Sequence, residues 1–152
     1  VQNLLSNFTP ASEINVYLRG GPVAHKRVLL ADDLVEILDA VDLLLRDSFN
    51  IVGRASDGRS ALDAILKLEP DLVVLDITMP GMTGIDVARE LKSRGNRTRI
   101  VFLTVHEDSD IIASCLSVGA LGYVLKALMD SDLIPAINEV LANRVFVSRL
   151  SA

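Results

Sequence analysis

The chain has 152 residues, half of them hydrophobic, enough for one domain with one core. No apolar run approaches the roughly 20 residues of a membrane span, and a formal net charge of -5 argues against non-specific nucleic-acid binding. A single cysteine, Cys115, excludes an internal disulfide and a multi-cysteine metal site, and it fits a reducing, cytoplasmic location.

In chain order, residues 1–24 read as an N-terminal extension. "INVYL" alternates weakly and "GGP" breaks the chain, leaving open an extra strand, a docking arm or a disordered leader. The start lacks the features of a signal peptide, and its first residue, Val1, fits a processed or trimmed chain. From residue 25 onward, short apolar runs alternate with helical patterns. "RVLLA" (27–31), "IVGRA" (51–55), "LVVL" (72–75), "RIVFLT" (99–104) and "GYVL" (122–125) read as strands. Three of them are near-continuously apolar, as expected when both faces of a parallel sheet are covered. Between them, Leu34, Leu38, Val41 and Leu45 recur at helical spacing, as do Leu62, Ile65 and Leu66, then Val87 and Leu91, then Ile111, Cys115 and Val118. A last helix carries Leu133, Ile137, Val140 and Leu141. Proline is tolerated in the first turn of a helix, so Pro135 predicts a start near Ser131 or Asp132. Five βα units predict a doubly wound α/β domain over residues 25–148, with 149–152 beginning a linker or tail.

Ligands of open α/β sheets bind beyond the carboxyl ends of the strands. The first strand ends in Asp32 and Asp33, the third in Asp76, the fourth in Thr104 and the fifth in Lys126. Carboxylates about 4 Å apart repel by roughly 4 kcal/mol per pair at an effective dielectric near 20. One lysine cannot balance three of them, so the pattern predicts a hard cation, Mg²⁺. Asp76 then stays ionised and can attack phosphorus, while metal and lysine offset the charge of the transferring group. Thr104 offers a hydroxyl donor to a phosphoryl oxygen. Taken singly, each residue has a plainer reading: an Asp-Asp helix cap, turn chemistry before Pro-Gly, a strand-end Thr or Lys. The plain readings leave the coincidence of four strand ends unexplained.

"LLADD", "LVVLDITMPGMTGID", "IVFLT" and "GALGYVLK" together closely resemble the receiver domain of bacterial two-component response regulators, over about residues 26 to 148. The resemblance implies a five-stranded, flavodoxin-like (CheY-like) sheet in the order 2-1-3-4-5. It implies Asp76 as phosphoacceptor, Asp33 and Asp76 as direct Mg²⁺ ligands, Asp32 holding metal-bound water, and the Thr78 backbone carbonyl completing the set. Lys126 would contact the phosphoryl group, and Thr104 and Tyr123 would form a switch pair. "GYVLK", "DLIPAINEVLAN" and "RVFVS" look most like the NarL/FixJ subfamily, which usually carries a LuxR-type helix-turn-helix. The implied partners are a sensor histidine kinase, a second copy on phosphorylation, and DNA only through an output domain not in this chain. No membrane partner is implied.

Two departures stand out. Ala127 follows Lys126 where many receivers have a cis proline, so a trans bond is expected. Val105 follows Thr104 where many have Ala or Gly, which would narrow access to Asp76. His106 reads either as an exposed loop residue or as a neighbour of the hydrolytic water. The run "KSRGNRTR" (92–99) suits a helix end and a solvated loop, Met79 and Met82 read as loop packing, and Cys115 as helix packing. A stand-alone receiver and an aspartate-nucleophile phosphatase of the haloacid-dehalogenase type are the alternatives. Thr78 stands where the latter carries a second Asp. No Gly-rich phosphate loop follows any strand, which counts against a nucleotide-binding domain. The chain is read as a switch rather than an enzyme.

Overall fold

The computed structural model describes residues 25–149, so the expectations for residues 1–24 and for the last three residues lie outside the described residues. Five strands run in chain order: β1 (Arg27–Ala31), β2 (Asn50–Ala55), β3 (Leu72–Leu75), β4 (Arg99–Thr104) and β5 (Gly122–Leu125). They alternate with α1 (Val35–Leu45), α2 (Gly58–Leu68), α3 (Gly84–Ser93), α4 (Ser109–Ser117) and α5 (Met129–Leu141). The sheet is parallel throughout and ordered 2-1-3-4-5, with a short added strand, β6 (Phe146–Val147), beside β5.

The apolar runs are explained by two covered faces. Successive side chains of a strand point to opposite sides. Leu29, Val73, Phe102 and Tyr123 pack with Leu62, Ile65, Val87, Leu91 and Cys115 from α2, α3 and α4. Their neighbours Val28, Leu30, Val74, Val101 and Val124 pack with Leu38, Val41, Leu133 and Ile137 from α1 and α5. Cys115 is fully buried, and burial pushes its thiol up to about 11, so it behaves as a small apolar group.

Two expectations need correction. The last helix starts at Met129, not at Ser131 or Asp132, because a 3-10 turn over Lys126–Leu128 leads straight into it. Pro135 therefore lies inside the helix, beyond the first turn. It sits on the exposed side, so water can reach the Ser131 carbonyl that a proline cannot serve. The second correction is β6. "RVFVS" adds a sixth strand, in parallel with Gly122 and Tyr123, where five were expected.

Candidate functional site

The register of β1 and β3 sets the site. Ala31 lies opposite Leu75, so Asp32 and Asp76 emerge side by side where the strand order reverses. Main-chain bonds hold both backbones: Asp76 N–H donates to the Ala31 carbonyl (2.9 Å) and Asp32 N–H to the Ala55 carbonyl (3.0 Å). Two glycines let the β3–α3 loop close onto this point. A Cβ on Gly84 would stand 2.0 Å from the Asp76 carbonyl oxygen, and one on Gly58 would stand 2.0 Å from that of Met82. Thr83 caps α3 and Asp86 returns the bond, which fixes where the loop ends.

Carboxylate oxygens of Asp32, Asp33 and Asp76 lie within 4.8 Å of one another. Asp32 and Asp76 are buried and Asp33 is exposed. Lys126 reaches in from the 3-10 turn, its Nζ 2.8 Å from Asp32 Oδ2 and 3.3 Å from Asp76 Oδ2. The Asp76 contact is a hydrogen bond; at Asp32 Oδ2 the ammonium is a charge neighbour without hydrogen-bond alignment, and that buried oxygen has no aligned donor. The remaining oxygens are served locally: Asp32 Oδ1 accepts the Leu34 N–H and Asp76 Oδ1 accepts the Ile77 N–H, at 2.9 and 2.8 Å. The Asp32–Leu34 bond is a turn two residues long, not a helix cap: α1 begins after Leu34 without a side-chain cap. Burial, then Asp32, pushes the Asp76 carboxyl above the ordinary carboxylate range, with Lys126 pulling the other way. Burial lowers the proton affinity of Lys126, but the two carboxylates outweigh it and leave the ammonium more firmly protonated. An acidic, all-oxygen cluster with an under-served buried oxygen fits a small hard cation.

Thr104 and Tyr123 are both fully buried. Tyr123 already points inward, its hydroxyl donating to the His106 carbonyl at 2.6 Å. Burial pushes its phenol up to about 12, with Cys115 and Asp108 adding to the effect. The His106 N–H donates to Thr104 Oγ1 at 3.3 Å. The His106 ring pairs with Thr78 Oγ1 at 2.9 Å, so this residue is tied across two loops rather than left free as an exposed loop histidine. Spacing gave the place of His106 but not its partner, because contacts between loops leave no periodicity to read. The peptide bond after Lys126 is trans, as expected without proline. Val105 is 67% exposed and borders a cavity of about 110 Å³ with Thr104, Glu107, Leu125, Lys126 and Ala127.

The chain is thus a doubly wound parallel sheet with an acidic, lysine-bridged pocket at its switch point. The sequence pattern of the response regulator receiver domain matches residues 28–138, and the chain belongs to that family. The transcriptional regulatory protein PdtaR of Mycobacterium tuberculosis is 39% identical over 113 residues, covering 74% of this chain and 55% of that protein. The nitrate/nitrite response regulator NarL of Escherichia coli is 32% identical over 123 residues, covering 80% and 57%. The solved receiver domain of a NarL response regulator from M. tuberculosis superposes with a TM-score of 0.77 at 32% identity, covering 80% of this chain and all of that one. The two NarL relatives agree with the NarL/FixJ resemblance. The chain spans just over half the length of the two curated regulators.

Proposed function

We propose that Asp76 is the phosphoacceptor of this receiver domain. An Asp76 carboxylate oxygen attacks the phosphorus of a phosphohistidine on a sensor histidine kinase. The new O–P bond forms as the P–N bond breaks, and the imidazole leaves with a proton. Asp33, Asp76 and the Thr78 carbonyl would hold Mg²⁺, with Asp32 acting through water; bound Mg²⁺ offsets charge on the phosphoryl oxygens. Lys126 neutralises the oxygen nearest the β5 end, and Thr104 donates its hydroxyl to another. Thr104 drawn toward the phosphoryl group fixes Tyr123 inward, which shifts the population of the surface around α4, β5 and α5.

The observation that carries this reading is Lys126 standing between Asp32 and Asp76, one cation against three clustered carboxylates. In this reading residues 25–148 are the receiver, residues 1–24 an extension and 149–152 the start of a linker or tail. The output is transcriptional, through a DNA-binding segment outside this chain and with self-association on phosphorylation. No helix among the described residues is long and apolar enough to cross a membrane, in keeping with a cytoplasmic switch. Thr78, hydrogen-bonded to His106, stands where a phosphatase of the haloacid-dehalogenase type would carry its second acid, which favours a switch over turnover.

Mass spectrometry after incubation with a small phosphodonor tests the reading. One phosphoryl group on Asp76, lost in Asp76→Asn and in chelator, is expected. Full labelling of that variant, or undiminished labelling without divalent cation, refutes it.

A further inference from the structure

β6 is two residues long and lies at the C-terminal end of the described residues. The Phe146 N–H donates to the Leu121 carbonyl at 2.9 Å, and the Ser148 N–H to the Tyr123 carbonyl at 2.8 Å. Two such bonds scarcely offset the entropy of ordering the residues that make them. The Ser148 side chain supplies the rest. Its Oγ accepts the Leu125 N–H at 3.2 Å and donates to Asp132 Oδ2 at 2.6 Å. The other oxygen of Asp132 accepts the Ser131 hydroxyl at 3.0 Å, so α5 holds the acceptor in place. Ser148 is 7% exposed although Val145, three residues earlier, is 58% exposed.

Besides Asp132, Ser148 has two main-chain partners, and they are not arbitrary. One is the main chain of Tyr123. The other is the main chain of Leu125, which runs directly into Lys126 and the 3-10 turn that aims its ammonium at Asp32 and Asp76. A hydroxyl here takes the place of a strand carbonyl, and it ends the ladder at the residue before the site lysine.

We propose that Ser148 and Asp132 form a clasp that couples the segment leaving the domain to the position of Lys126 and Tyr123. The proposal rests on the phosphoacceptor reading of Asp76 and names how that site is regulated. Ser148 is a positioning residue: it touches no reacting group and acts through the Leu125–Lys126 peptide. With the clasp closed, Lys126 bridges the two carboxylates. A phosphoryl group on Asp76 adds anionic oxygens for the same ammonium and draws it the same way. Clasp closure and phosphoryl occupancy therefore favour each other, and by linkage each strengthens the other by the same factor. Whatever pulls the following segment away from β5 weakens phosphoryl binding at a distance.

The test uses beryllofluoride with Mg²⁺ as a phosphoryl stand-in on the 152-residue chain. Ser148→Ala should weaken beryllofluoride binding about fivefold, the scale of one hydrogen bond. Ser148→Thr, which keeps the hydroxyl, should recover the loss. In the unaltered protein, saturating beryllofluoride should slow amide exchange at Leu125 and Ser148 by the same factor. Equal beryllofluoride affinity in Ser148→Ala, an equal loss in Ser148→Thr, or unchanged exchange at these two amides overturns the clasp. Where Ser148→Ala fails to fold, exchange in the unaltered protein decides alone. No beryllofluoride binding by the unaltered protein refutes the phosphoacceptor reading itself, and the clasp falls with it.

Discussion

Replacing Lys126 with methionine keeps much of the side-chain volume and removes the one cation between two buried carboxylates. The ammonium sits 2.8 Å from Asp32 and 3.3 Å from Asp76, and the three side chains are 11, 4 and 6% exposed. Breaking a buried ion pair by removing one partner costs roughly 3–5 kcal/mol. The carboxylates left facing each other repel by about 4 kcal/mol at 4 Å and an effective dielectric near 20. Protonation of Asp76 caps the cost, and this fixes the pH dependence. Its carboxyl is already held above the ordinary range by burial and by Asp32. A group with a raised folded-state pKa contributes stability that is complete below its unfolded value and is lost as pH rises through the folded value. Losing the lysine removes the opposing pull and moves that window upward. Lys126→Met should therefore be destabilised most at neutral pH and least near pH 4. Mg²⁺ should restore stability by mass action, about 2.7 kcal/mol at a hundred times its dissociation constant. Urea titrations in chelator and in Mg²⁺, at several pH values, measure each quantity. A variant as stable as the original in chelator at pH 7, or a deficit that grows on acidification, would refute the electrostatic account of the pocket.

Gly84→Ala should strain the site, since its Cβ would overlap the Asp76 main-chain carbonyl; we expect a loss of at least about 2 kcal/mol in urea titration together with impaired labelling of Asp76. Pro135→Ala should stabilise by about 1 kcal/mol, because a main-chain bond to Ser131 becomes available inside α5; an unchanged unfolding midpoint would show that the ring costs nothing there. Val105→Ala should speed labelling by small phosphodonors by opening the cavity beside Thr104 and Lys126. Equal rates would place the mouth of the pocket elsewhere.

The sheet was legible because each strand carries its own pattern. A run such as Leu72 to Leu75 can be continuous only where both faces are covered, and the polar residue that ends it is conspicuous for that reason. Asp32, Asp33, Asp76 and Lys126 could thus be assigned to one edge before any distance was known. What escaped depends on partners far apart in sequence or on details of a turn. The Thr78–His106 pair joins two loops 28 residues apart, and neither residue belongs to a periodic element. The sequence hides the start of α5 because a 3-10 turn passes into the helix without a side-chain cap, and because an exposed interior proline does not forbid the preceding turn. β6 is too short for alternation to reveal, and its anchor is a serine whose partners lie 16 and 23 residues away.

One cation faces three clustered carboxylates, and that imbalance suits the pocket to the proposed switch. Lys126 serves two carboxylates at once, Asp32 Oδ2 lacks an aligned donor, and Asp76 is held above its ordinary proton affinity. A pocket whose charges were already balanced would gain little from a cation or a phosphoryl group, and ligands shift a conformational equilibrium only by their differential affinity for its states. In the proposed reading a cation would relieve repulsion, and a phosphoryl group on Asp76 would give Lys126 a stronger partner. The same lysine hangs from a turn whose preceding amide is held by Ser148, and Tyr123 lies two residues before that amide. A change of charge at Asp76 therefore acts on the main chain that carries both the tyrosine and the exit strand.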